Sequence, residues 1–157
     1  MYRTIALFFL LCSLNVLLLS PICGAFQVSD CGSKVGKFST VSLAGCDMDK
    51  EVCNLIRGTN ATIEIDFTVE KEIKSVNAVV HGIIMDVPIP FPLTNANACE
   101  TFDSGVSCPL AKDTTSHYRN TLPVLHSYPK LSLIVKWELK DENNEDIVCM
   151  LIPARLK

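Results

Sequence analysis

Asn60-Ala61-Thr62-Ile63-Glu64-Ile65-Asp66-Phe67-Thr68-Val69-Glu70 decides the fold. Ile63, Ile65, Phe67 and Val69 alternate with Glu64, Asp66, Thr68 and Glu70. That is the period-two pattern of a strand with one face buried and the other in water. Leu131 to Lys140 repeats it: Leu131, Leu133, Val135, Trp137 and Leu139 share one face, while Ser132, Lys136, Glu138 and Lys140 share the other. Only Ile134 breaks the alternation. Asn143-Asn144 supplies a turn, and Asp146 to Pro153 returns with Ile147, Cys149 and Leu151 on one face, so these two segments predict a hairpin. Lys74 to Val80 and Val35 to Leu43 add further strands. No segment sustains a 3.6-residue apolar period with caps, so helix is minor. About six or seven short strands with turn signals between them predict an all-β protein, an antiparallel sandwich of two sheets.

The N-terminus predicts the compartment. Met1 to Arg3 is a short basic start, Ile5 to Leu19 is almost wholly apolar, and Cys23-Gly24-Ala25 offers small residues for cleavage. This is the layout of a secretory signal peptide over residues 1–25, leaving 26–157 as the mature chain. The apolar run is shorter than the roughly 20 residues a spanning helix needs. Cys12 and Cys23 leave with the leader, and Cys31, Cys46, Cys53, Cys99, Cys108 and Cys149 remain. An even count in a short secreted chain indicates a disulfide framework, though six cysteines formally allow about 15 pairings. Cys46 and Cys53 flank one polar stretch and Cys99 and Cys108 another, so each pair suits a loop staple, and Cys31 is left to close on Cys149. A bridge spanning so much of the chain is worth on the order of 4 to 5 kcal/mol in the chain-entropy model.

Arg3 also leaves with the leader, which takes the 14 Lys plus Arg to 13 against 17 Asp plus Glu, a formal charge of −4. The lysines are scattered among acids, so the reading excludes a nucleic-acid partner and finds no basic rim for lipid phosphates. About 130 residues make one domain, expected as a monomer. No Gly-x-Ser-x-Gly elbow is present, the cysteines are consumed in bridges, and no His sits near a nucleophile, which argues against an enzyme. His81, His117 and His126 lack ligand spacing, and Asp47-Met48-Asp49 and Glu142 to Asp146 lack calcium-loop spacing, so no metal or other cofactor is expected.

One segment is hard to place as ordinary core. Val87-Pro88-Ile89-Pro90-Phe91-Pro92-Leu93 alternates apolar side chains with prolines that have no N–H to give a central strand. It predicts a stiff apolar rim, either at the mouth of a ligand site or as an edge strand packed on the core. Phe91, Phe102, Tyr118, Tyr128 and Trp137 are the aromatics available to line such a site, and Tyr128-Pro129 stands directly before a strand.

The residues together resemble a known family. Asp30-Cys31-Gly32-Ser33, Ala78 through Pro92, Cys108-Pro109, Leu122-Pro123-Val124, Tyr128-Pro129 and Val135-Lys136-Trp137-Glu138-Leu139 occur in an order similar to the ML lipid-recognition domain family, in particular its soluble Niemann-Pick type C sterol carriers. The resemblance runs from about Asp30 to Pro153. It implies an immunoglobulin-like sandwich with a sterol between the sheets and the three disulfides paired as above. It implies that Phe91, Val124 and Tyr128 line or gate the sterol tunnel with Pro129 and Trp137 beside them. It also implies that Ile83, Ile84 and Met85 form an exposed knob meeting membranes or a membrane-bound sterol transporter. The implied setting is secretion, with delivery to lysosomes or the extracellular space.

Two departures stand out. Asp86 replaces a glycine of the mammalian members, placing a carboxylate beside the knob, which is expected to weaken contact with anionic membranes at neutral pH more than at low pH. The loop from Cys99 to Cys108 is also longer than in those members. The single sequon, Asn60-Ala61-Thr62, is a glycosylation candidate. Relatives on this fold also carry fatty acids or semiochemicals. The uncharged positions Phe91, Val124 and Tyr128 favour a sterol over a carboxylate.

Overall fold

The computed structural model describes residues 27–47 and 50–157. The expected leader therefore lies outside the described residues. Nine strands form: β1 (Ser29–Asp30), β2 (Gly36–Ala44), β3 (Cys53–Leu55), β4 (Thr59–Val69), β5 (Asn77–Ile84), β6 (Val87–Phe91), β7 (Thr115–Val124), β8 (Ser132–Lys140) and β9 (Asp146–Leu156). No helix occurs among the described residues.

The larger sheet runs β1-β9-β8-β5-β6, with β3 also on β9, and the smaller runs β2-β4-β7. All pairings are antiparallel except β3 with β9. Ile63, Ile65, Phe67 and Val69 of β4 turn inward, all 3% exposed or less, against Trp137 and Leu139 of β8 and Met150 and Ile152 of β9. The alternation in the sequence is thus the inner face of the sandwich. β8 and β9 form the expected hairpin. Asn144 adopts a φ of +62° in its turn, and the buried Asp141 carboxylate accepts from the N–H groups of Asn143 and Glu145 at 2.9 and 2.8 Å.

The bridges join Cys31 to Cys149, Cys46 to Cys53 and Cys99 to Cys108. The first ties β1 to β9 across 118 residues of sequence. The long loop from Cys99 to Cys108 folds on itself: the buried Ser104 hydroxyl donates to the Ala98 carbonyl and accepts from the Val106 N–H. Phe102, at its tip, is fully exposed.

Three details differ from the reading of the sequence. β5 begins at Asn77 and runs on to Ile84, because the apolar run after His81 continues the strand to the hairpin. β7 has no apolar alternation to announce it. Its inner face carries Tyr118 and Asn120, paired to each other by an amide-to-hydroxyl hydrogen bond of 2.9 Å. Glu138, expected in water, is 4% exposed. It is covered by Lys136 and Lys140, whose ammonium groups lie 2.9 and 3.1 Å from its carboxylate. Lysine stems can cover a carboxylate while their heads stay wet.

Candidate functional site: an apolar cavity between the sheets

At the end of the sandwich where β5 turns into β6, the two sheets enclose a cavity of about 240 Å³. Strand alternation aims its walls. Val80, Gly82 and Ile84 face it from β5, Leu133 and Val135 from β8, and Leu122 and Val124 from β7 on the opposite sheet. Gly82 makes part of the room, since a side chain there would meet the Leu133 methyl at 3.1 Å. Among the described residues that line it, His81 and Tyr128 alone have side chains that carry polar atoms.

The proline-rich segment is both an edge strand and a wall. An edge strand serves one neighbour, so it needs only every second N–H, and Pro88 and Pro90 occupy the alternate positions opposite Ile83 and His81. Ile89 and Phe91 then reach the cavity. The connection from β7 to β8 supplies Tyr128 and Pro129 on the other side. The Phe91 and Tyr128 rings meet edge to face on the cavity wall, with centroids 6.2 Å apart and planes at 79°.

Of the tunnel residues expected from the sequence, Phe91, Val124, Tyr128 and Pro129 come together on the cavity wall, and Trp137 does not. Trp137 is 3% exposed and packs at 57° against Tyr118 in the solid core next to the cavity. Burial pushes the Tyr118 hydroxyl up to about 12, opposed by the hydrogen bond it accepts from the Asn120 amide.

Of the expected knob, Ile84 faces the cavity, Ile83 is half-buried, and Met85 is 89% exposed at the hairpin tip. Asn60 is exposed at the start of β4. The sequence reading missed Leu122, Leu133 and Val135 as lining. The first belongs to the unannounced strand β7, and the other two are indistinguishable from core until the sheets are seen to part.

Three cations do gather beside the cavity. Lys130, Ser132, Arg155 and Lys157 line a surface cleft that shares Leu131 and Leu156 with the cavity. Antiparallel pairing places Ser132 opposite Arg155, which draws together cations far apart in sequence. One group of possible metal ligands, Glu138, Asp146 and Cys149, occurs among the described residues, but the Cys149 sulfur is spent in a disulfide and both carboxylates are paired with Lys140. Burial alone would raise the Glu138 carboxyl; the hydrogen bonds from Lys136 and Lys140 outweigh it and hold the group below the usual carboxylate range.

These features define a class: a disulfide-bridged β-sandwich whose sheets part around an apolar cavity. Residues 25–156 match the model of the ML domain family. The chain belongs to that family. It is 50% identical over 134 residues to NPC intracellular cholesterol transporter 2 homolog a of Drosophila melanogaster, covering 85% of this chain and 89% of that protein. Over 156 residues it is 36% identical to NPC intracellular cholesterol transporter 2 of Bos taurus, covering 99% of this chain and 98% of that one. Among solved structures it is similar to a Niemann-Pick type C2 protein from Japanese carpenter ant. That match has a TM-score of 0.81 and 42% identity, and it covers 84% of this chain and all of that one.

Proposed function

We propose that this chain is a non-catalytic sterol carrier, holding one sterol in the cavity between its sheets and passing it to membranes or to a membrane-bound transporter. The observation that carries this reading is the wall itself, apolar throughout except for His81 and Tyr128. A sterol needs one polar contact for one hydroxyl, whereas a buried carboxylate needs a cation or several donors. The names of the Drosophila and bovine relatives support the same cargo.

The cavity of about 240 Å³ is smaller than the usual ligand pocket of about 300 to 1,000 Å³. Loading therefore parts the Phe91 and Tyr128 rings and widens the space behind them. Phe91, Val124, Tyr128 and Pro129 contact the cargo in this reading, and Met85 leads the approach to a bilayer. The chain works after secretion, in lysosomes or outside cells, with residues 1–25 removed and Asn60 glycosylated.

The experiment is equilibrium binding of a fluorescent sterol to the mature protein, at an acidic and a neutral pH, with cholesterol and a long-chain fatty acid as competitors. Displacement by cholesterol alone is the expected result. Displacement by the fatty acid with sterol inert would replace the reading with a fatty-acid or semiochemical carrier.

A further inference from the structure

The cavity is closed on one side by a connection with little packing of its own. Leu125, His126 and Ser127 are exposed, yet the segment carries Tyr128 and Pro129 against the cavity. What holds it is Arg57, from a different part of the chain. The guanidinium donates through Nη1 to the carbonyls of His126 at 3.1 Å and Tyr128 at 2.9 Å, and through Nε to the carbonyl of Lys157 at 3.3 Å. No Asp or Glu side chain pairs with Arg57 among the described residues, so its charge is directed at main-chain oxygens.

The turn that presents Arg57 is itself fixed. Ile56 to Thr59 is a β-turn closed by the Thr59 N–H and hydroxyl, which both donate to the Ile56 carbonyl, at 3.3 and 2.7 Å. Gly58 takes a φ of +82°, which suits glycine at the third position of such a turn. A side chain there would also meet the exposed His126 ring, which would have to swing aside. The Gly58 N–H donates to the Val124 carbonyl at 2.5 Å, so the turn grips both ends of the connection.

We propose that Arg57 is the latch of the cavity: it positions the Tyr128 segment over the opening, and release of its hydrogen bonds to His126 and Tyr128 limits the rate at which cargo enters and leaves. Arg57 touches no cargo; it acts through the segment it holds. A planar, permanently charged fork can serve several carbonyls at once, which a lysine at the same place would do less rigidly. The kinetic part rests on the carrier reading above, but the mechanical part does not.

The test compares Arg57→Gln and Arg57→Lys with the parent protein in two measurements. Hydrogen exchange of residues 125–130 in the cargo-free protein reads the latch without reference to any ligand. Stopped-flow dissociation and association of a fluorescent sterol read the gating. We expect protection of the Tyr128 amide to fall in Arg57→Gln. Dissociation should speed up by about tenfold, the size of effect expected from losing a charge-assisted hydrogen bond. Association should rise alongside, so that affinity moves far less than either rate, and Arg57→Lys should fall between.

Unchanged exchange in both variants overturns the latch. So does normal dissociation in a variant whose melting temperature has dropped, since that marks Arg57 as support for the fold alone. If the parent protein binds no sterol, the carrier reading fails and hydrogen exchange alone decides the latch.

Discussion

Phe91 belongs to an edge strand of the larger sheet and Tyr128 to the connection leaving the smaller one, and their rings meet at 6.2 Å, edge to face, on the wall of the cavity. Neither ring is fully buried, so neither is core in the sense of Phe67 or Tyr118. An edge-to-face pair contributes about 0.5 to 1.5 kcal/mol beyond its area. Phe91→Ala and Tyr128→Ala should therefore keep the fold, losing about 1 to 2 kcal/mol each in urea titration. Each should lose most of the sterol binding. Equal loss of fold and binding would mark the two rings as structural.

The hairpin tip is strained, and the strain is testable. Ile84 pairs with Val87, leaving Met85 and Asp86 as a two-residue loop with φ of +49° and +63°. Positive φ at both positions is the type I′ turn, which favours Asn-Gly and penalises a long side chain such as methionine. Asp86→Gly should raise stability by about 0.5 to 1 kcal/mol, read as a higher urea midpoint. The same change removes the carboxylate beside the exposed Met85 and should speed transfer to anionic vesicles at neutral pH. Met85→Asp should slow transfer and leave affinity for sterol unchanged. Parallel loss of affinity in Met85→Asp would place Met85 in the binding site instead.

Ile63 to Val69 and Leu133 to Leu139 declared the inner faces of their strands, because water on one side and core on the other imposes a period of two. The disulfide pairing was legible for a similar reason, each short pair flanking its own loop. β7 was silent. Its inner face includes Tyr118 and Asn120, which pair with each other along the strand, while Asn120 also reaches Asn95, 25 residues away, a contact that a sequence does not display. Trp137, expected beside the tunnel, packs against Tyr118 in the core one step from the cavity, and the sequence alone does not separate such a neighbour from a lining residue. Arg57 was invisible, since its partners are main-chain carbonyls about 70 and 100 residues away and a carbonyl leaves no mark on a sequence.

Asn120 is the one polar side chain facing the Tyr118 hydroxyl from its own strand, at 2.9 Å, with a second amide contact to Asn95 at 3.3 Å. Replacing Asn120 by Ala leaves a buried phenol short of a partner, a change that costs about 1 to 3 kcal/mol. Replacing both, as Tyr118→Phe with Asn120→Ala, should cost less than the sum of the single changes, because the orphaned group goes with its partner. A double-mutant cycle in urea checks this, and simple additivity would mean that the bond contributes nothing.

The proposed lysosomal role requires buried carboxylates to stay charged at acidic pH, and Asp141 is one of two such groups among the described residues. It is 3% exposed at the β8 to β9 turn, where it accepts from two main-chain N–H groups and lies 2.7 Å from the Lys71 ammonium. Burial alone would raise its pKa; the Lys71 hydrogen bond and the two N–H groups outweigh burial and hold it below the ordinary 3.8. A carboxyl lowered in the folded state stabilises the fold above its unfolded value and loses that contribution as pH falls through the folded one. Asp141→Asn should thus cost about 2 kcal/mol relative to the parent. The gap should hold steady between about pH 7 and 5 and close only below about pH 4. Urea midpoints across that range check it. A gap that narrows already between about pH 7 and 5 would mean that Asp141 begins to lose its charge within the range of acidic compartments.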